Sequence, residues 1–378
     1  MGGLIMASTI NADTTNGVVV TSDTSGEIEL QSAGVTKAKV TANGLQDANG
    51  NSLRGGSFRN LIINGDMKID QRGGTVTINT ASRTYGVDRW LGYGQTSDGV
   101  FTIVQDTEAP TGFLNSTKIT TTTADASVGA SQYYILGQSI EGTNFSHLAW
   151  GSASAKTVTF SFWVRSSLTG TFGGAINNNA ANRSYPFTYT IDSANTWEQK
   201  SVKITGDTSG TWITTTGIGA NVWFDLGCGS SNVGTAGTWA TAGYYGATGT
   251  TSLIGTSGAT FYITGVQLEV GEGASDFEFL PYDVQLARCQ RYFQTFSHAW
   301  VGVAAGVGYF QSVQGTFNTA MRTAPTTTRT GGTSTTRYPS SNWAVYTTTA
   351  QRLVSRMAAV SGGGNEGWTA SGILEAEL

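Results

Sequence analysis

Between Thr157 and Ser167 the chain alternates. Val158, Phe160, Phe162 and Val164 share one side of an extended segment; Thr159, Ser161, Trp163 and Arg165 share the other. Successive side chains of a strand point to opposite faces, so this pattern predicts a half-buried strand. Val76/Ile78, Val202/Ile204 and Val222/Phe224/Leu226 repeat it. Turn-forming clusters separate these pieces: Ser97-Asp98-Gly99, Ile176-Asn177-Asn178-Asn179 and Gly206-Asp207-Thr208-Ser209-Gly210. In Thr260–Val270 the phase slips: Phe261 and Ile263 set one face, while Val266, Leu268 and Val270 take the opposite parity. A β-bulge at Gly265 would restore the face, and glycine suits that position. About ten such strands within residues 58–283 predict a two-sheet sandwich.

One helix is predicted, over 284–296. Pro281-Tyr282-Asp283 precedes it, and Leu286, Cys289, Phe293 and Phe296 follow helical spacing, with Arg288 and Arg291 off that stripe. Residues 297–378 return to strand signals at Trp300–Val303, Phe310–Phe317 and Ile373–Leu378, and Gln351–Val360 is assigned to a strand because its neighbours are β.

Residues 1–57 lack aromatic residues, Cys and Pro, whereas the remainder holds all 16 Phe, 14 Tyr and 10 Trp. Aromatic rings bury the most area per residue, so this leader forgoes the strongest core formers. It keeps strand-like pieces at Val18-Val19-Val20, Glu27–Leu30 and Lys39-Val40-Thr41. So short a segment with so little apolar bulk does not fold alone. It is expected to be ordered by identical chains or to act as a linker, with 47–56 as a connector.

Charged residues are 12% of the 378, and Gly numbers 51. The net charge is −4 and no basic run exists, so nucleic acid is not an expected partner. No apolar run is long enough to span a bilayer, and MGGLIMASTINADTT lacks the features of a secretory leader. Cys228 and Cys289 cannot make a disulfide framework or a zinc site; both are expected reduced and buried. No metal or cofactor is expected.

Catalytic signatures are sparse. The sequence holds no G-x-S-x-G, Walker A, H-E-x-x-H or EF-hand pattern. His147 and His298 are the only imidazoles and read as ordinary loop or surface residues. Asp88, Asp225, Glu269, Asp276 and Glu278 are the carboxylates a glycosidase could pair, but nothing fixes the spacing such a pair needs. Glu269 alternates with Leu268 and Val270 and is expected to face solvent. Asp225 and Glu269 offer oxygen ligands for a structural ion.

Aromatic rings in polar loops give a better lead. A flat ring stacks on the C–H face of a sugar while neighbouring Asn, Asp or Thr bind its hydroxyls. Trp239, Tyr244 and Tyr245 lie within Gly227–Gly258, and Trp300, Tyr309, Tyr338 and Trp343 lie among Gly, Ser, Thr and Asn. These seven are the candidate carbohydrate-binding residues. The alternative is that each packs under its own loop or at a subunit contact.

The order of several short motifs is familiar. Asn60-Leu61-Ile62-Ile63-Asn64-Gly65-Asp66-Met67, followed by Ile69-Asp70-Gln71-Arg72-Gly73, resembles the start of a sandwich domain of bacteriophage tail fibres and related virion appendages. Tyr85-Gly86-Val87-Asp88-Arg89-Trp90, Phe160–Arg165, Gly265–Gly271 and Arg288–Phe293 continue the resemblance, and Met321–Pro325 extends it more loosely. It implies a jelly roll akin to carbohydrate-binding modules, set in a trimeric fibre with its N-terminus toward the particle. Asn64-Gly65-Asp66 suits a turn, and Asp88 and Arg89 are expected to pair beside Trp90.

The expected protein is therefore all-β. It has an N-terminal intertwined β segment (1–57), a jelly-roll sandwich (58–283), a short linking helix (284–296) and a small C-terminal β tip (297–378). The expected function is a non-enzymatic structural appendage of the virion, assembled in the host cytoplasm. It would be a homotrimeric tail fibre that binds other virion proteins through 1–57 and recognises a host surface glycan, without membrane insertion. The alternatives are a capsid decoration or cement protein, a neck or collar fibre, and a polysaccharide depolymerase.

Overall fold

The computed structural model describes residues 28–32, 34–41, 44–48, 58–79, 81–94, 98–303, 307, 310–333, 343–359 and 365–378. The chain divides into two compact units, Met1–Ser57 and Phe58–Leu378. The strand expected at Val18–Val20 lies outside the described residues.

In the first unit, β1 (Ile28–Ser32), β2 (Val35–Thr41) and β3 (Gly44–Asp47) form an antiparallel meander. Its register sets Ile28 opposite Val40, Val40 opposite Leu45, and Leu30 opposite Ala38, so these five apolar residues share one face. The other face centres on Glu29, which accepts hydrogen bonds from Gln31 and Thr36 and pairs with Lys39 at 3.2 Å. On the apolar face Leu30, Val40 and Leu45 are 49%, 40% and 43% exposed.

The second unit opens with the jelly-roll sandwich. One sheet holds β4 (Val76–Ile78), β7 (Val100–Asp106), β8 (Ser116–Thr123), β10 (Val158–Ser166), β13 (Glu198–Ile204) and β17 (Thr260–Val270), in the order β13-β10-β17-β8-β7-β4. The other holds β5 (Thr84–Tyr85), β6 (Leu91–Gly94), β9 (Tyr133–Glu141), β11 (Gly170–Asn177), β12 (Ser184–Ile191) and β14 (Ile218–Cys228), in the order β12-β11-β14-β9-β6-β5. A two-stranded parallel pair, β15 (Val233–Gly234) and β16 (Gly246–Ala247), lies in the long connection after β14. A single helical turn, α1 (Gly142–Phe145), follows β9.

The alternating apolar sets meet between the sheets. Phe160 and Phe162 of β10 pack against Phe224 of β14, with ring centroids 5.6 and 5.0 Å apart. The phase slip in β17 is a bulge: Ser161 faces Gln267, while Trp163 faces Thr264, leaving Gly265 and Val266 against one partner residue. Gly265 has φ +60°, a left-handed conformation that favours glycine. Asn64 also has positive φ and anchors its turn through three side-chain bonds. Its Nδ2 donates to the carbonyls of Ile69 and Asp88, and its Oδ1 accepts from the Ile69 amide.

Three expectations for the helix and the sandwich need correction. The helix is α2 (Tyr282–Gln290), not 284–296. Phe293 and Phe296 belong instead to β18 (Phe293–Val303), where they face Glu375 and Gly372 across an antiparallel ladder. Glu269 does point outward from its sheet, yet it is only 3% exposed. The returning segment covers it: Ser275 donates through both its amide and its hydroxyl, Gln267 donates from Nε2, and Arg59 sits at 3.4 Å. Asp88 and Arg89 do not pair with each other. Asp88 accepts from Gln71 and faces Arg72, while Arg89, also at positive φ, reaches Glu377.

The tip consists of two three-stranded sheets. β23 (Asn365–Glu375) lies between β18 and β20 (Thr326–Gly331), and β22 (Arg352–Ala358) lies between β19 (Phe310–Thr316) and β21 (Trp343–Thr348). Met357, Ala359, Trp368 and Ala370 form one core cluster, and Met321, Leu353, Leu374 and Ala376 another. His298, expected on a loop or at the surface, is instead a residue of β18 and is buried inside this domain, with Nδ1 3.0 Å from the Ser355 hydroxyl.

Polar contacts join tip to sandwich. Arg322 donates to the carbonyls of Thr216, Ala376 and Glu377, and the Ala376 amide donates to the Tyr292 carbonyl. Arg89 also stacks on Tyr292, its guanidinium carbon 3.7 Å from the ring centre.

Candidate functional site: the outer face of the second sheet

Tyr134, Leu136 and Ile140 of β9 enter the core, so strand alternation turns Tyr133, Ile135, Gly137 and Ser139 outward. Pairing aligns Tyr85, Leu91, Gly137, Trp223, Ala175 and Pro186 in one line across all six strands. Gly137 has a clear task in this line. A Cβ there would strike the Trp223 ring, so the missing side chain lets the indole lie over the neighbouring strand.

The next line outward is polar and internally bonded. The Ser139 hydroxyl donates to Asn221 Oδ1 at 2.6 Å, Asn221 Nδ2 donates to Asn177 Oδ1 at 3.1 Å, and Trp223 Nε1 donates to the same oxygen at 3.2 Å. Asn177 Nδ2 then reaches the Tyr244 carbonyl. This network fixes the indole, which is 1% exposed. Arg83 lies above it, with its guanidinium carbon 5.5 Å from the ring centre.

Beside the indole stand three tyrosines from different segments. Tyr133 is 5.1 Å from Tyr93 and 4.6 Å from Tyr245, centroid to centroid, and Tyr245 is 6.0 Å from Trp223. Burial, together with hydrogen bonds to Tyr93 and Tyr245, holds the Tyr133 phenol far above its ordinary range. Burial also raises Tyr245. Tyr133 and Tyr245 therefore stay neutral, and a phenol hydroxyl can both donate and accept. Tyr93 and Tyr245 are half-exposed, and so is Tyr85 at the sheet edge.

The segment from Asn232 to Thr250 roofs the other half of this face. It meets the sheet at Ser184, whose hydroxyl donates to the Ala242 carbonyl, and at Asp225, whose carboxylate accepts from the Thr250 hydroxyl. Asp225 is fully enclosed there, and burial pushes its carboxyl up to about 6.

Of the seven candidate rings, Tyr245 alone among the described residues joins the cluster. Tyr244 packs over Gly234, in space a side chain there would need. Trp239 belongs to an indole cluster at one end of the sandwich, 5.1 Å from Trp150 and 5.6 Å from Trp212, with Nε1 donating to the Thr205 carbonyl. Trp343 packs in the tip, stacked near Phe296. Tyr309, Tyr338 and the side chain of Trp300 lie outside the described residues. Sequence reasoning did not single out Tyr85, Tyr93, Tyr133, Trp223 or Arg83. Outward parity in the strands marks Tyr133 and Trp223, but only the cross-strand register brings them together.

The candidate carboxylates divide: Glu269 and Glu278 both meet Arg59, Asp88 faces Arg72, and Asp225 stands apart. Asp225 and Glu269 lie on opposite outer faces of the sandwich. Glu278 accepts from the Arg59 and Asn60 amides, and Asp276 offers its carbonyl to Arg59. Among the described residues no cluster of three His, Cys, Asp or Glu is placed to hold a metal ion. Both cysteines are free; Cys289 is buried and Cys228 half-buried.

No protein family matches the chain, and no curated protein matches it. Among solved structures, a sugar-binding protein of Bacteroides thetaiotaomicron described as putative is similar over 56% of this chain and 99% of its own, at 14% identity and TM-score 0.34. A CBM4 protein is similar over 55% of this chain and 97% of its own, at 15% identity and TM-score 0.29. The enzymatically active domain of tailspike protein 4 from bacteriophage CBA120 is similar over 56% of this chain and 21% of its own, at 11% identity and TM-score 0.29. At these scores the sandwich stands on its own strand order and register.

Proposed function

We propose that this chain is a non-enzymatic bacteriophage virion appendage, a trimeric tail fibre that recognises a host surface glycan. The observation that carries the glycan reading is the cluster of Tyr93, Tyr133 and Tyr245 beside Trp223, capped by Arg83, on an outer sheet face. Phenol hydroxyls and ring faces suit a ligand that is apolar on its C–H faces and hydroxylated at its edges. Weak single sites gain strength when several copies engage one surface.

The virion reading rests on the order of sequence motifs from Asn60 to Gly271 and on the N-terminal meander. An amphipathic three-stranded sheet needs its apolar face covered. Copies of the same chain supply a matching face at Ile28, Leu30, Ala38, Val40 and Leu45. The same meander would also serve a capsid decoration protein or a neck fibre. Copy number separates these: hundreds per particle indicates decoration, and a few trimers at the tail indicates a fibre.

The test is a glycan array probed with the full chain, followed by Tyr93→Ala and Tyr245→Ala. Binding to a defined saccharide that falls at least tenfold in both variants is expected. Binding unchanged in both would remove this face from the reading. Release of reducing ends from the bound polysaccharide would replace the adhesin with a depolymerase.

A further inference from the structure

Next to the tyrosine face, an open groove of about 670 Å³ separates the sandwich from the tip. The sandwich contributes Arg72, Arg83, Thr84 and Tyr85, and the tip contributes Thr295, Thr330, Glu375 and Glu377. This volume falls within the roughly 300–1,000 Å³ of small-molecule sites.

Its polar groups retain bonding capacity. Arg83 is exposed, and its hydrogen bonds among the described residues are long, 3.4 Å to the Ser139 hydroxyl and 3.3 Å to the Leu378 carbonyl. Glu375 has a side chain 41% exposed, and among the described residues its ion pair is with Arg72 Nη2 at 3.4 Å. Arg72 is fixed more firmly, 3.1 Å from Glu377, 3.6 Å from Asp88 and 3.9 Å over the Phe293 ring, and holds Glu377 and Glu375 in place on the groove wall. Thr295 and Thr330 are exposed on the opposite wall.

Two facts choose the ligand. The lining charges cancel, with two arginines facing two glutamates, so the groove offers no net attraction to a polyanion. A guanidinium edge opposite a carboxylate offers donors and acceptors together, which matches neighbouring hydroxyls that both accept and donate. Arg83 also links the groove to the tyrosine face, because the same guanidinium lies over Trp223.

We propose that this groove is a saccharide site for an uncharged oligosaccharide, with Arg83 and Glu375 reading its hydroxyls. The inference rests on the glycan reading and adds the tip domain to the site. A chain crossing the tyrosines continues over Arg83 and ends against the tip. The tip thereby takes part in choosing the glycan.

The test uses the full-length protein and the saccharide found by array, with affinity measured by titration calorimetry. Arg83→Ala and Glu375→Gln are expected to weaken binding of a neutral oligosaccharide at least tenfold. Thr330→Trp, which fills the groove, is expected to do the same. Glu375→Gln leaves an excess of positive charge, so it is also expected to gain affinity for a uronic-acid-containing chain, a change that mere loss of structure would not produce. Arg83 is a surface side chain, so its variant remains informative if Thr330→Trp fails to fold. Unchanged affinity in Arg83→Ala and Glu375→Gln, with Tyr245→Ala still impaired, would overturn the groove while leaving the glycan reading intact. No saccharide bound by the unaltered protein would overturn both.

Discussion

The Arg291 guanidinium forks onto the Glu141 carboxylate, with Nη2–Oε1 at 2.6 Å and Nε–Oε2 at 2.8 Å. The Tyr292 hydroxyl adds a third bond at 2.7 Å. Glu141 is the last residue of β9, and Arg291 and Tyr292 are the two residues between α2 and the first strand of the tip. The pair therefore ties the sandwich sheet to the point where the tip begins. Burial alone would raise the Glu141 carboxyl, but the bonds from Arg291 and Tyr292 outweigh it and hold the group below its ordinary value.

Arg291→Ala leaves that buried carboxylate without its cation and is expected to cost about 3 kcal/mol. Urea unfolding at pH 7 measures the loss. Because the folded value is depressed, the stabilisation is complete above the unfolded value near 4.5 and fades as pH falls through the folded one. Glu141→Gln should remove that part of the acid sensitivity; an unchanged acid limb would contradict the assignment.

Asp225 carries the opposite sign. Burial lifts its folded value to about 6 from the ordinary 3.8, so its contribution is complete below 3.8 and is lost as pH rises through about 6. Asp225→Asn can keep the bond from the Gly227 amide at its oxygen and donate from its nitrogen to the Thr250 hydroxyl, without the buried charge. Its melting temperature relative to the unaltered protein should climb between pH 4 and pH 7 and then level off. An equal difference at pH 4 and pH 8 would show that this carboxyl is not the titrating group.

Gly265 and Gly249 both have positive φ, +60° and +84°. A Cβ on Gly265 would lie 2.7 Å from the Phe113 ring and 3.0 Å from Trp163, whereas one on Gly249 meets nothing within 4 Å. Left-handed backbone alone costs a non-glycine residue about 1 kcal/mol or more. Gly265→Ala should therefore lose about 2 kcal/mol more than Gly249→Ala, the excess coming from crowding at the bulge. Equal losses in chemical denaturation would mean that the rings move aside freely.

Leu30→Asp together with Val40→Asp places charge on the apolar face of the meander. Sedimentation is expected to show the unaltered chain as a trimer and the double variant as a monomer with the same sandwich stability. A variant that remains trimeric would move the self-association surface elsewhere.

The sandwich was legible because alternation is a local property. Phe160 and Phe162 announce their inward face within five residues, and the reversal of phase around Gly265 announces the bulge. The end of α2 was not legible, because Cys289, Phe293 and Phe296 suit a helical stripe as well as the β18 ladder. What decides is pairing with Glu375 and Gly372, some eighty residues away. Glu269 shows the same limit: parity gives its direction, but not the Ser275 segment that folds over it. The tyrosine face was legible only through Tyr245. Tyr93, Tyr133 and Trp223 meet through register, which no single segment encodes.

The roof between Asn232 and Thr250 grips the sheet through backbone groups and a few fixed side chains, while Thr235, Thr238, Thr241 and Thr248 stay exposed. Variation at those four positions leaves both layers of the sandwich untouched. Randomising them offers a library of altered outer surfaces, with the scaffold beneath carried over unaltered.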